Sequence, residues 1–284
     1  MALRGLRTRL RNWLLGRKAY KFFIRDWVAL GDLQRAADAM ATMRFSRSLV
    51  PAVVPGPRGR IVVVAPHPDD EMMGPGGTLI RALDDGARVR VVYLSRGRDG
   101  AAGDVLQAEA AAVGARLGYE TEFLGQKLRG IAVDAAAVAA FAHAVGEAAP
   151  DALFVPFLLD DHDDHRRASE LLLAAFDAGR LDGATEVWAY QVYTTLPGNV
   201  IVEITDVAGR KAEAIRGFAS QGRIRDWAHW ALGLNAFNCR FLAGPGERYA
   251  EAFFVLPLAE YAELARAYFA PGADVYHERA YAAR

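Results

Sequence analysis

From residue 61 onward the chain alternates short apolar runs with longer stretches of mixed polarity. IVVVAP (61–66) and RVRVVYLS (88–95) are apolar runs of strand length. A helical pattern around 71–84 lies between them and stops at Gly86. A second helix is expected near 103–117, stopped by Gly118, then a short strand at 120–124, a helix over 134–148 and another apolar strand, ALFVPF, at 152–157. Strands separated by helices in this order predict a mostly parallel sheet covered on both faces. The expected class is α/β, a Rossmann-like three-layer αβα sandwich. EVWAYQVY (186–193) and VIVEIT (200–205), separated by PGN, are candidates for an antiparallel extension, and 258–269 reads as an amphipathic C-terminal helix.

Upstream, PAVVPGPRGR (51–60) holds three prolines and two glycines and is expected to be extended. It divides a basic amphipathic extension and linker (1–57) from the main domain (58–284). Residues 1–25 carry Arg4, Arg7, Arg9, Arg11, Arg17, Lys18, Lys21 and Arg25 and no acid. The chain as a whole has 34 basic and 34 acidic residues, so the remainder is about eight units negative. Leu3, Leu6, Leu10 and Trp13 or Leu14 recur at helical spacing among those arginines. Packing on the chain's own domain or on a second subunit is the plain reading of such a helix; docking on an anionic inner membrane face is the other. No apolar run reaches the roughly 20 residues of a membrane span, and no secretory signal is visible. The single cysteine, Cys239, excludes an intrachain disulfide and a Cys-based zinc cluster, which fits a reducing, cytoplasmic compartment. An acidic body gives no reason to expect a nucleic-acid partner.

The chemistry concentrates at two strand ends. His67-Pro68-Asp69-Asp70-Glu71 follows the first apolar strand, and LLDDHDDHRRAS (158–169) follows ALFVPF. In open parallel sheets, ligands bind at the carboxyl ends of the strands, so both loops are expected on one edge. They hold three of the six histidines and a run of acids whose mutual repulsion calls for a compensating cation. His67 and Asp70, three apart around a proline turn, can face one ion, and His165 can add a third ligand. Two histidines and a carboxylate leave a position open for water, as catalytic zinc sites do. Asp69 is then free to act as a base.

With these residues in view, the chain resembles the PIG-L/LmbE zinc N-deacetylases over roughly residues 60–256. The resemblance rests on PHPDDEMMGPGGT (66–78), on His162-Asp163-Asp164-His165, on KAEAIRGFASQ (211–221) and on YAEAF (249–253). It implies that His67, Asp70 and His165 hold the metal, zinc or ferrous iron, and that Asp69 deprotonates a water. It further implies that His162 faces the acetyl oxygen, with Asp164 holding its ring and favouring the imidazolium. The substrate it implies is an N-acetylated amino sugar or glycoconjugate. Glu71 reads as a helix-start or supporting residue.

Three departures from the family pattern bear on the substrate more than on the reaction. Arg96 and Arg98 lie in SRGRDG, where many relatives have T-x-G-E-x-G; Leu106 replaces an arginine three residues before Glu109; and Phe218 replaces a histidine before Ser220-Gln221. The two arginines would suit a phosphate or carboxylate, or simply a solvated loop. Gly74, Gly76 and Gly77 have the wrong spacing for a dinucleotide fingerprint and are expected to allow close backbone packing. Trp227, Trp230 and Phe237 would wall a sugar pocket or belong to the core. A metal-dependent glycosyltransferase leaves His67, Asp69 and Asp70 without a purpose. A non-haem iron oxygenase lacks a co-substrate motif. A non-catalytic sugar-binding protein requires neither Asp69 nor His162.

Overall fold

The computed structural model describes residues 35–37 and 39–269; the basic stretch 1–25 lies outside the described residues. In chain order the named elements are α1 (Met43–Arg47), β1 (Ala52–Val54), β2 (Arg60–Ala65), α2 (Asp70–Met73), α3 (Gly76–Asp84), β3 (Arg88–Ser95), α4 (Gly100–Leu117) and β4 (Glu120–Gln126). They continue with α5 (Ala135–Gly146), β5 (Ala152–Pro156), α6 (Asp163–Asp177), β6 (Glu186–Tyr190), β7 (Val200–Glu203), α7 (Ala208–Arg216), α8 (Ala219–Gly222), α9 (Trp227–Asn238), β8 (Ala250–Pro257) and α10 (Leu258–Tyr268).

The eight strands form one sheet in the order β1-β7-β8-β6-β5-β2-β3-β4. All neighbours are parallel except the pairs made by β8, which runs antiparallel to both β6 and β7. The α/β class expected from the alternating pattern is therefore the observed one. β2 shows why its run is apolar without a break: Val62 and Val64 enter the core on one face, and Ile61, Val63 and Ala65 enter the core on the other.

Two details differ from the sequence expectation. The strands at 186–193 and 200–205 do not pair with each other, because β8 inserts between them. The helix expected over 71–84 is two helices, interrupted at Gly74-Pro75, where proline cannot continue the hydrogen-bond ladder. The extended stretch before residue 58 supplies an edge strand: Ala52–Val54 pairs with Val200–Val202, and Phe45 stacks on Phe254 inside the core. Gly74 and Gly77 are required by close packing, as their spacing suggested. A Cβ on Gly74 would lie 2.3 Å from the Tyr190 ring, and one on Gly77 2.7 Å from Ile204.

β2 and β5 are adjacent and parallel, with Ile61, Val62 and Val63 opposite Ala152, Leu153 and Phe154. β3 leaves β2 on one side while β5 flanks it on the other, which makes the β2/β5 boundary the switch point of the sheet. The His67 loop and the Asp160–His165 loop both emerge there.

Candidate functional site

Asp69 links β2 to α2 with a φ of 106°, a left-handed conformation that is strained for any residue but glycine. Its N–H donates to Glu71 Oε2 at 3.1 Å, and its carbonyl receives the N–H groups of Met72 and Met73. This turn places His67 and Asp70 against each other: the His67 N–H donates to Asp70 Oδ2 at 2.9 Å, and His67 Nδ1 lies 3.2 Å from the same oxygen. From the second loop, His165 Nε2 lies 3.3 Å from Asp70 Oδ2.

His67, Asp70 and His165 each present one ligand atom, all within 4.8 Å of one another. Asp70 Oδ1 and both ring nitrogens of His165 are buried yet make no well-formed hydrogen bond. Orphaned polar atoms of this kind are costly unless something occupies the space they face. Two imidazole nitrogens and a carboxylate oxygen around one point suit a divalent transition metal, so the residues fit the ion that the sequence implied. His67, His162 and Asp164 form a second such group, sharing His67.

The far ring nitrogens are also held. His67 Nε2 lies 2.8 Å from Asp164 Oδ2, and His165 Nδ1 lies 3.1 Å from Asp160 Oδ1. Carboxylates in this position orient a ligating imidazole and fix its tautomer. Asp160 is in turn fixed by the N–H groups of Val192 and Tyr193 on Oδ2 and of His162 on Oδ1, and Asp164 Oδ2 also receives the Arg129 N–H. The acid run after β5 is thereby divided among tasks, for Asp163 pairs with the fully buried Arg166 on α6.

His162 caps α6, and its Nδ1 accepts the Asp164 N–H at 3.1 Å. An accepting Nδ1 places the ring proton on Nε2. Burial, followed by the charges of His67 and His165, pushes the His162 pKa well below the usual histidine range. The charges of Asp164 and Asp70 act the other way and favour its protonated form, and the Asp164 carboxylate also reaches the ring of His67.

The remaining charges follow the same physics. Burial would lower His67, but its bonds to Asp164 and Asp70 outweigh that and raise it to about 9. Burial also opposes protonation of His165, yet Asp70 and Asp160 hold its pKa well above the usual value. Burial would raise Asp70, but the two histidines keep it well below the carboxylate range. Asp69 is raised by burial and by the charges of Asp70 and Glu71. Burial likewise lifts Glu71 to about 7; it accepts a bond from the Tyr119 hydroxyl at 3.0 Å, in keeping with a supporting role. Exposure separates the groups: His67, Asp69 and His162 retain 8–9% of their surface, against 0–1% for Asp70, Asp164 and His165. The first three are therefore the ones that keep a little contact with solvent.

The later motifs join in space. Lys211 and Glu251 form a fully buried pair at 2.6 Å, and Ser220 donates from both N–H and hydroxyl to Glu109. Arg96 pairs with Asp104 and Arg98 donates to Gln221 at 3.3 Å, so both arginines have partners within the protein. Asp160, Arg129 and Tyr193 were not singled out from the sequence. Their only signal is topological: all follow strands that end on the same edge as β2.

Residues 62–176 match the PIG-L family, described as GlcNAc-PI de-N-acetylase. A conserved protein from Thermus thermophilus superposes with a TM-score of 0.61 at 28% identity, over 69% of this chain and 94% of its own. N,N'-diacetylchitobiose deacetylase from Pyrococcus horikoshii gives 0.61 at 24% identity, over 71% and 85% of the respective chains. The 4-carboxy-2-hydroxymuconate hydratase GalB from Pseudomonas putida gives 0.58 at 22% identity, over 70% and 96%. The fold thus serves more than one reaction, and site residues rather than topology must carry a functional argument. His67, Asp69, Asp70, His162 and His165 stand together at one sheet edge inside the span that matches the PIG-L, LmbE-like family of de-N-acetylases.

Proposed function

We propose that this protein hydrolyses the N-acetyl group of an amino sugar or glycoconjugate, with a divalent metal held by His67, Asp70 and His165. The observation that carries this reading is the set of buried atoms without a well-formed hydrogen bond, Asp70 Oδ1 and the His165 ring nitrogens, beside two groups of complementary chemistry, Asp69 and His162. Zinc bound there would lower the pKa of a water ligand and polarise the amide carbonyl.

The chain's own residues supply the rest. Asp69 has no hydrogen bond to its carboxylate among the described residues, and burial favours its protonated form once a proton arrives. It takes a proton from the attacking water and returns it to the leaving amine. His162, whose Nδ1 accepts the Asp164 N–H, offers its Nε2–H to the carbonyl oxygen, where negative charge develops in the transition state. Asp164 and Asp160 act as positioning residues, each fixing the ring of one histidine ligand.

Acetate release from a panel of N-acetylated sugars by zinc- or iron-loaded protein tests the proposal. Activity on at least one N-acetylglucosaminide, lost in Asp69→Asn, is expected. Absence of acetate from every member in metal-loaded protein would overturn it.

A further inference from the structure

The segment after β6 is fastened to the metal centre, because Val192 and Tyr193 donate their N–H groups to the same Asp160 that holds His165. The Tyr193 ring lies 5.3 Å from the His165 ring and 5.9 Å from that of His162. Its other side meets Trp227 and Trp230 edge-on, at 6.4 and 6.5 Å. From there a groove of about 300 Å³ runs along α9, lined by Val192, Tyr193, Thr195, Trp230, Leu234 and Phe237.

Three features set this groove apart from ordinary surface. Trp230, Leu234 and Phe237 recur at i, i+4 and i+7, so one helix face presents them together, and Trp230 and Phe237 remain 37% and 53% exposed. The Arg225 guanidinium sits 5.1 Å from both the Trp227 and Trp230 rings, and Arg240 lies 3.9 Å from the Phe237 ring; cation–π contacts of this kind hold the aromatic walls in place. Gly233 also lines the groove from the middle of α9. Glycine weakens a helix interior, yet a Cβ at Gly233 would meet nothing within 4 Å. Nothing among the described residues requires glycine there, and its effect is to keep the groove open.

We propose that this groove is a subsite for an apolar substituent, an alkyl or aryl group carried by the amino sugar whose acetamide enters the metal centre. The inference rests on the deacetylase reading. The groove adjoins that centre, because its wall residue Tyr193 packs on the rings of His162 and His165, so its occupant is the remainder of the same substrate. Side-chain hydroxyls on its walls come from Thr195 and Tyr193 alone, so its lining matches an apolar group better than a second sugar ring.

The test compares methyl and octyl N-acetyl-β-D-glucosaminides, below the micelle concentration, with metal-loaded full-length protein. Wild type should favour the octyl compound in kcat/KM by about tenfold, what burial of roughly two methylenes supplies. Gly233→Leu, which fills the groove while improving the helix, should reduce the octyl preference to about twofold or less. Trp230→Ala should lower that preference in the same direction. Equal use of both compounds by wild type, or an octyl preference that survives Gly233→Leu, would overturn the inference. A changed sedimentation coefficient in Gly233→Leu would also overturn it, by making the groove a contact between copies. Tryptophan fluorescence titration with the octyl compound separates this inference from the reaction. Octyl binding that Gly233→Leu abolishes, without acetate release from any glycoside, would retain the subsite and reject the deacetylase reading.

Discussion

Removing either member of the Lys211–Glu251 pair should destabilise the protein substantially, and the two losses should differ in a defined order. Lys211 Nζ donates to Glu251 Oε1 at 2.6 Å, to the Met73 and Gly74 carbonyls at 3.2 and 3.0 Å, and to Asn235 Oδ1 at 3.0 Å. Glu251 also accepts the Gly77 N–H, the Thr78 N–H and the Thr78 hydroxyl, at 2.7, 2.8 and 2.6 Å. The pair therefore ties β8 and α7 to the start of α3 and the end of α2, the short helix that carries Asp70. Breaking a buried pair by deleting one partner costs about 3–5 kcal/mol. Lys211→Met leaves Glu251 with three donors and belongs at the lower end, about 3 kcal/mol. Glu251→Ala strands a buried ammonium and deprives three donors of their acceptor, which places it nearer 5 kcal/mol. At roughly 2–4 °C per kcal/mol for a chain of this size, Tm should fall by roughly 6–20 °C. Urea unfolding of metal-free protein, followed by far-UV circular dichroism, measures both losses. Because Lys211 holds the carbonyls that end α2, Lys211→Met should also weaken metal binding at temperatures where the variant remains folded. A Lys211→Met variant within about 0.5 kcal/mol of wild type, or the reverse order of the two variants, would refute the reasoning.

Four further outcomes are expected. Protein purified without chelator should contain zinc or iron near one equivalent by elemental analysis, and His165→Ala should lose it; undiminished metal in that variant would remove this ligand set. Asp69→Asn should keep the ion and lose most of kcat, and His162→Ala should keep it while losing on the order of 10²–10³ in rate; near wild-type turnover by either would reject the roles given to them. Asp160→Asn and Asp164→Asn should each weaken metal affinity by about 10–100-fold in a competition titration, as loss of a carboxylate behind a ligating imidazole does; unchanged affinity in both would exclude the orienting role. In metal-free protein the His67 pKa is raised from 6.5 to about 9, so its contribution to stability is complete below pH 6.5 and is lost as pH rises through 9. The urea midpoint should accordingly fall across that window, and zinc added in weak buffer at pH 7.5 should release protons; a flat midpoint with no proton release would contradict the assignment.

What the sequence determined by itself was the alternation of strands and helices and the clustering of the chemistry. The unbroken apolar run of β2 identified a strand buried on both faces, because only such a strand needs side chains of that kind on both sides of its pleat. Two acid- and histidine-rich loops directly after apolar strands located the candidate metal site, because parallel strands present their carboxyl ends together. The spacing of His67 and Asp70 also brought those two side chains against each other, since both lie within one turn. The tertiary structure decided what depends on contacts between distant segments. β8 inserts antiparallel between β6 and β7, a pairing that no local pattern records. Lys211 and Glu251, forty residues apart, form one buried pair, and Gly233 acquires its meaning only from the groove beside it. Most sharply, the order of residues in Asp160–His165 does not say which carboxylate meets which ring. Asp164 turns to His67 on another loop, and Asp160 serves His165 through backbone amides supplied after β6. Spacing along the chain limits which atoms can reach one another, but the partner a ring nitrogen actually meets is set by how loops from three strands pack to within an ångström.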